Sequence, residues 1–479
     1  MTPHPLSKKV GLFLGPILFI CLRLIPFESI SDNASTVIAI AGWMICWWIT
    51  EAVSISVTAL LPLLLFPLFK VMPIADVGAN YGSPIIFLFF GGFVLALALE
   101  KVNLHKRIAL TIIKKTGSTP NRVILGFMIA TGFMSMWISN TASTVVMLPI
   151  ALSVIKLLIN DEDGFTKQDK NFALSVMLGI AFSANAGGIA TVIGTPPNSV
   201  LIGLLENEYH IEISFLKWMI VGLPFSIILI GIIYLVMVKW FFPCQGLVFS
   251  TEKDFIDNEL KKLGETTPKE KQVLVIFGIT VFLWIFRTVI NNLIPGLELS
   301  DTMISMFGAL LLFTIPHNLK RGEFILEWID TQKLAWGILM LFGGGLALAK
   351  GMSATGIVDV VANTIATSNI SILVMASLLI ILMLFMTELM SNVALTAVLA
   401  PVVAGIALGL DVPILYLLIP VTMASSCAFM LPMATPPNAI VFASGYIKVS
   451  DMAKVGFILN LISVVLLILL FKIGLPLVF

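Results

Sequence analysis

Apolar runs of helical length recur along the whole chain, and short polar stretches divide them. About 20 apolar residues cross a hydrocarbon core. On that measure the runs predict helical spans at 10–27, 36–53, 54–70, 84–101, 216–243, 271–291, 302–317, 333–352 and 452–479. Two longer stretches, 121–158 and 372–410, carry a Ser-Asn pair at mid-length and predict helical hairpins. Two more, 172–205 and 412–447, carry Pro-Pro and predict broken helices, because proline lacks an N–H and clashes with the preceding turn. The expected fold is an all-α polytopic membrane protein of about 11 transmembrane helices plus two re-entrant hairpins.

The interruptions are written twice. Ser139-Asn140-Thr141 in MWISNTASTVVMLP returns 252 positions later (139 to 391) as Ser391-Asn392-Val393 in ELMSNVALTAVLAP. Thr195-Pro196-Pro197-Asn198 returns 240 positions later (195 to 435) as Thr435-Pro436-Pro437-Asn438. Phe90-Gly91-Gly92 returns as Phe342-Gly343-Gly344, again 252 positions on (90 to 342). The difference between the two offsets falls on a polar stretch, 160–170, that only the first copy has. Duplicated polar and proline-broken segments in a membrane chain point to the substrate site of a transporter. The Gly-Gly pairs read as close helix packing.

Composition agrees with the pattern. The chain has 479 residues, is 58% hydrophobic and 11% charged, and has a mean hydropathy of +1.05, which excludes a soluble domain of this size. A net charge of +1 gives no basis for a nucleic-acid partner. Cys21, Cys46, Cys244 and Cys427 stand singly in apolar segments, without metal-type spacing or a disulfide framework. The run 10–27 follows Lys8 and Lys9 without a small-residue cleavage site, so it reads as a retained first helix. No His-Glu-x-x-His or Cys/His constellation exists to suggest an intramembrane enzyme.

Charge then orients the chain. Lysine and arginine stay in cytoplasmic loops. They cluster at 101–122, at 252–271 and around Lys320, Arg321 and Lys333, and are absent from 27–35, 206–215 and 291–300. The alternation works only if hairpin 121–158 enters and leaves from the cytoplasm while 372–410 does so from outside. The two halves are therefore an inverted repeat, with the N-terminus cytoplasmic and the C-terminus external. The mixed-charge linker between them reads as a solvated connector.

The repeated motifs suit an anion held beside a cation. Ser-Asn at a hairpin tip can cap the second limb, whose positive dipole end faces the cavity. The asparagine amide donates to an anion, and its carbonyl oxygen serves a cation. Thr195 and Thr435 sit on unwound backbone, where Gly194 and Ala434 expose carbonyls. No Lys, Arg or His lies in either tip or break, so an anionic substrate would be neutralised by dipoles, amides and bound sodium. Glu388 has Met136 as its counterpart. An intramembrane carboxylate is a functional candidate, though a structural hydrogen-bonding role is the expected one. Glu51 and Arg23 read as helix-end residues, and Arg287 as snorkelling to an interface.

With those residues in view, SMWISNTA, FMLPMATPPNAIVFASG and WWITEAVSISVTALLPLLLFP resemble the signatures of the divalent anion/sodium symporter family, and the similarity runs over nearly the whole chain. The resemblance implies an elevator transporter of di- and tricarboxylates in the cell membrane, usually a homodimer, with Na+ as coupling ion. It implies substrate contacts from Ser139, Asn140, Thr141, Thr195 and Pro196 and from Ser391, Asn392, Val393, Thr435 and Pro436. It implies one sodium site at Ser135, Ser139, Asn140 and Gly194, and a second at Thr387, Met390, Asn392 and Ala434. Scaffold helices would occupy 1–115 and 271–368, and the transport domain 116–249 and 369–479, with a cytoplasmic linker at 250–270. The departure is Val393, where many relatives have threonine. The expected activity is sodium-coupled uptake of succinate-like C4-dicarboxylates. Alternatives are sodium-independent exchange, citrate or sulfate transport, and a proton-coupled or arsenite-type permease.

Overall fold

The computed structural model describes residues 6–25, 30–117, 119–159, 166–244, 255–294, 296–367 and 370–479. The polar stretch at 160–165 and the linker residues 250–254 lie outside them. The chain begins with α1 (Leu6–Leu24), α2 (Asp32–Thr50), α3 (Ile55–Thr58), α4 (Leu61–Leu68), α5 (Ile74–Tyr81) and α6 (Pro84–Lys101). A short amphipathic helix, α7 (Leu104–Thr116), leads into α8 (Pro120–Ser135) and α9 (Asn140–Ile159), the two limbs of the first hairpin. Next come α10 (Lys167–Gly188), α11 (Pro196–Tyr209) and α12 (Phe215–Leu235), which runs on as a π-helical stretch to Phe241.

The second half repeats this plan. It has α13 (Phe255–Lys262), α14 (Pro268–Leu293), α15 (Asp301–Thr314), α16 (Trp336–Ala354) and α17 (Ile357–Ala366). The second hairpin is α18 (Ile372–Met386) and α19 (Asn392–Gly409), followed by α20 (Ile414–Ser425), α21 (Pro436–Phe442) and α22 (Val449–Leu469). The one departure from an all-helical chain among the described residues is a strand pair, β1 (Pro316–Asn318) and β2 (Glu323–Phe324). Seven helical stretches among the described residues are both long and apolar enough to cross a membrane. The larger expected number rests on also counting shorter apolar helices such as α9, α15, α18 and α20.

The repeats interlock. The second limb of hairpin one, α9, packs on α21, and the second limb of hairpin two, α19, packs on α11. Each hairpin therefore meets the broken helix of the other repeat as well as its own. Pro149 and Pro401, 252 positions apart, lie inside α9 and α19. The Gly-Gly pairs do pack closely: a Cβ on Gly91 would strike Ser305 of α15, and one on Gly344 would strike Ala59.

The linker is more than a solvated connector. Residues 255–262 form α13, docked on α7 through Lys106–Glu259 (3.3 Å) and Lys114–Asp257 (2.5 Å). Arg107 of α7 then fastens the next turn of chain. Its guanidinium donates to both oxygens of Glu270 (2.7 and 3.2 Å) and to the carbonyls of Leu263, Gly264 and Glu265. Glu270 also closes the N-terminal capping box of α14 with Thr267. One side chain thus holds the end of α13 and the start of α14.

Because Glu270 is 2% exposed, deleting its partner leaves a buried carboxylate. Arg107→Ala is expected to cost about 3 kcal/mol, the low end for breaking a buried pair. Lys114→Ala, which breaks an exposed pair, is expected to cost at most ~1 kcal/mol. Thermal unfolding of the detergent-purified protein, read for both variants against wild type, checks the difference.

Candidate functional site

Each hairpin reverses over a few residues beside the unwound part of a broken helix. In repeat one the chain leaves α8 at Ser135, turns, and re-enters α9 at Asn140, with Ser139 Oγ accepting from the Ala142 N–H at 3.2 Å. Ser135 is fully buried, and its Oγ lies 2.6 Å from Asn140 Oδ1 and 2.7 Å from the Ala184 carbonyl. A hydroxyl has one proton and cannot serve both acceptors. The conflict disappears if the Asn140 amide turns its nitrogen inward, where it donates to Ser135 Oγ (2.6 Å) and to the carbonyls of Gly194 (3.2 Å) and Ala184 (3.3 Å). With the oxygen inward, Asn140 Oδ1, Ser135 Oγ and the two carbonyls face one another. A cation among them resolves that arrangement equally well.

Repeat two has the same geometry. Thr387, also fully buried, places Oγ1 2.7 Å from Asn392 Oδ1 and 2.8 Å from the Ser425 carbonyl. Ser135 and Thr387, like Asn140 and Asn392, are 252 positions apart, and Ala184 and Ser425 are 241 apart (184 to 425). The sequence reading grouped Ser135 with Asn140 and Gly194, and Thr387 with Asn392, and the structure places those residues side by side. It missed the carbonyls of Ala184 and Ser425, which a side-chain motif does not announce. Met390 and Ala434 make no hydrogen bond to the second cluster among the described residues. No group of three or more His, Cys, Asp or Glu among them is placed to hold a metal, so neutral oxygens are what these sites offer a cation.

Accessibility divides the remaining candidates. Ser139, Thr141 and Pro436 are exposed, Ser391, Val393 and Pro196 are half-buried, and Thr195 and Thr435 are buried. Ser391 caps nothing with its side chain, unlike Ser139. Thr195 and Thr435 are the N-caps of α11 and α21, but only Thr435 accepts a capping N–H, from Asn438.

The asparagine that ends each Thr-Pro-Pro-Asn motif closes its own break. Asn198 Nδ2 donates to the Thr191 carbonyl at 2.8 Å and reaches those of Gly188 and Ile189 at 3.4 Å. Asn438 Nδ2 donates to the carbonyls of Ala428 and Leu431, both at 3.1 Å. Residues 188 and 191 correspond to 428 and 431 under the 240-residue offset. Gly188 lacks a Cβ for a reason: one built there would stand 2.5 Å from Asn140 Oδ1.

Glu388 has a structural use. Its carboxylate accepts from the N–H groups of Phe429 (2.8 Å), Met430 (2.9 Å) and Leu431 (3.1 Å), and from Asn460 Nδ2 (2.7 Å). The second break spans 426–435 and the shorter first break spans 189–195, where Ile189 and Ala190 still donate to Ala186 and Gly187. The longer break leaves N–H groups that a side chain must satisfy, and Met136 at the equivalent place has no such task. Arg287, read as snorkelling, is instead ion-paired with Glu212 (2.8 Å) and Asp301 (3.4 Å) at 12% side-chain exposure.

The fold and its paired oxygen clusters define a helical membrane transporter, and comparison with known proteins narrows the class. Two solved structures share the fold at low identity. They are the YdaH transporter of Alcanivorax borkumensis, with a TM-score of 0.58, 11% identity, and coverage of 99% of this chain and 98% of that one. The other is MtrF of Neisseria gonorrhoeae, with a TM-score of 0.52, 13% identity, and coverage of 99% and 95%. The family model for the sodium:sulfate symporter transmembrane region matches residues 7–479. Curated relatives named sodium-dependent dicarboxylate transporter SdcS are 42% identical in Staphylococcus saprophyticus, over 97% of this chain and 91% of theirs, and 40% identical in Staphylococcus aureus (strain USA300), over 99% and 93%. This chain belongs to the sodium:sulfate symporter family, the divalent anion/sodium symporters.

Glu388→Ala removes the acceptor of three backbone N–H groups and is expected to lower stability by roughly 3–5 kcal/mol, at about 1–3 kcal/mol for each unsatisfied group with partial relaxation. Glu388→Gln, which keeps one acceptor oxygen, should lose clearly less. Unfolding midpoints of the two variants, compared in one detergent, give the order.

Proposed function

We propose that this chain is a sodium-coupled secondary transporter that takes up C4-dicarboxylates of the succinate, fumarate and malate type across the cytoplasmic membrane. The observation that carries the proposal is the pair of equivalent oxygen clusters, each joining a hairpin tip to a broken helix. The first cation would be held by Ser135, Ser139, Asn140 and Gly194 with Ala184, and the second by Thr387, Met390, Asn392 and Ala434 with Ser425. The substrate would lie between the tips, against Ser139, Asn140, Thr141, Thr195 and Pro196 on one side and Ser391, Asn392, Val393, Thr435 and Pro436 on the other. Helices α9, α11 and α19 all begin at these motifs, so their positive ends supply attraction that no basic side chain provides. With sodium in place, the dianion meets a neutralised pocket; without it, carbonyl oxygens repel it. The relatives named for sodium-dependent dicarboxylate transport fit this chemistry.

Transport would be by an elevator in a homodimer, the body made of both hairpins and both broken helices moving against α1–α6 and α14–α16. Glycines let these bodies approach closely. A Cβ on Gly203 of α11 would come within 2.9 Å of Ile85, and one on Gly345 of α16 within 2.8 Å of Ala397 of α19. At one end, Ser83 with Asn207 (3.1 Å), the Phe215 N–H with Asp301 (2.7 Å) and Arg287 with Glu212 fasten the bodies in this arrangement.

Purified protein in proteoliposomes should accumulate radiolabelled succinate under an inward sodium gradient and not under choline. Asn140→Ala and Asn392→Ala should each lower uptake roughly tenfold or more, the scale of one lost ligand. Competition by citrate and sulfate sets the substrate range, and equal uptake in choline would reject sodium coupling. Gly345→Val, which adds bulk against Ala397, should leave succinate binding intact and abolish uptake; normal uptake in that variant counts against the sliding interface.

A further inference from the structure

Repeat one reaches into the break of repeat two through a side chain that carries no role so far. Asn185 of α10 is 1% exposed and directly follows Ala184, whose carbonyl belongs to the first cluster. Its Nδ2 lies 3.0 Å from Thr435 Oγ1, 3.3 Å from the Ala428 carbonyl and 3.4 Å from Asn438 Oδ1. The orientation of this amide is fixed by its surroundings. The carbonyls of Ala428 and Leu431 can only accept, so Asn438 turns its nitrogen to them and its oxygen to Asn185. Asn185, facing that oxygen and the Ala428 carbonyl, must present nitrogen.

The consequence falls on Thr435. A hydroxyl has two acceptor positions and one proton. Both acceptor positions of Thr435 Oγ1 are taken, by Asn185 Nδ2 at 3.0 Å and by the Asn438 N–H at 3.4 Å. Its proton finds no acceptor among the described residues, although Thr435 is 4% exposed. We infer that Asn185 is a positioning residue that presets the Thr435 hydroxyl as a hydrogen-bond donor to one carboxylate of the transported dianion. Thr195 has no such arrangement. It caps nothing, and no side chain of repeat two donates to its hydroxyl among the described residues. The two threonines of the repeated motif are thus unequal: one is held as an oriented donor and the other makes no capping bond that would orient it. A donor aimed at a carboxylate favours ionised over protonated substrate and carries no cost of reorientation on binding.

This inference rests on the proposed dicarboxylate transport, and the test separates the two. Wild-type proteoliposomes are first shown to take up succinate with sodium; failure there rejects the transport reading, not this one. With uptake in hand, Thr435→Val should raise the succinate KM roughly 10- to 100-fold, the scale of one hydrogen bond to a charged group. Thr435→Ser should restore most of the affinity. Asn185→Ala should raise KM in the wild-type background and add less than about twofold in the Thr435→Val background, because it acts through that hydroxyl. Sodium-dependent thermal stabilisation without succinate should keep its midpoint in Thr435→Val, Thr435→Ser and Asn185→Ala. Where Asn185→Ala does not fold, Asn185→Ser takes its place. An unchanged KM in Thr435→Val overturns the inference. So do independent multiplicative effects of the two sites, or a sodium midpoint that shifts together with KM.

Discussion

A helix broken within the membrane must find partners for its backbone inside the protein, and the rest of this structure depends on how that is done. Water cannot satisfy the freed N–H and C=O groups at that depth. Here Asn198 and Asn438 fold back from the start of the second half-helix and close carbonyls of the unwound segment before it. That leaves the Gly194 carbonyl beside the Asn140 amide and the Ala184 carbonyl beside Ser135. The oxygens that face the tips are those the closing asparagines do not use. The oxygens proposed as sodium ligands are those that this structural demand leaves over.

The same demand explains why the repeats differ. A longer unwound segment in repeat two exposes more N–H groups, and Glu388 with Asn460 meets them. Four N–H donors, three of them on Oε1, commit this carboxylate to the backbone of the break. Its negative charge nevertheless sits in the residue next to Thr387 of the second cluster, and no acid occupies the equivalent place in the first. The two clusters are alike in shape and unlike in field.

Much of this was legible in the sequence, for identifiable reasons. The duplicated Ser-Asn and Thr-Pro-Pro-Asn motifs announced both clusters because side chains supply half of each. The carbonyls of Ala184 and Ser425 were not legible, since any residue type presents one. Helices α7 and α13 were read as charged loop because Lys106, Arg107, Lys114 and Lys261 dominate them, although their apolar faces pack inward. Asn185 escaped notice because it lies outside both motifs and its partners are some 250 residues away. Glu388 stood out at once, and only the length of the second break showed what it was for.

The Arg107 fastening sets a length scale. It ties the first turn of α7 to the end of α13 and to the first turn of α14, and Lys114 holds the last turn of α7 to Asp257 of α13. Hairpin one begins at Pro120, four Cα steps beyond Thr116, the last residue of α7. Four steps of extended chain reach no further than about 14 Å. In the proposed elevator, that span would bound how far the foot of the first hairpin could move away from α7. A longer excursion would require the contact of α7 with α8, or its fastening to α14, to open.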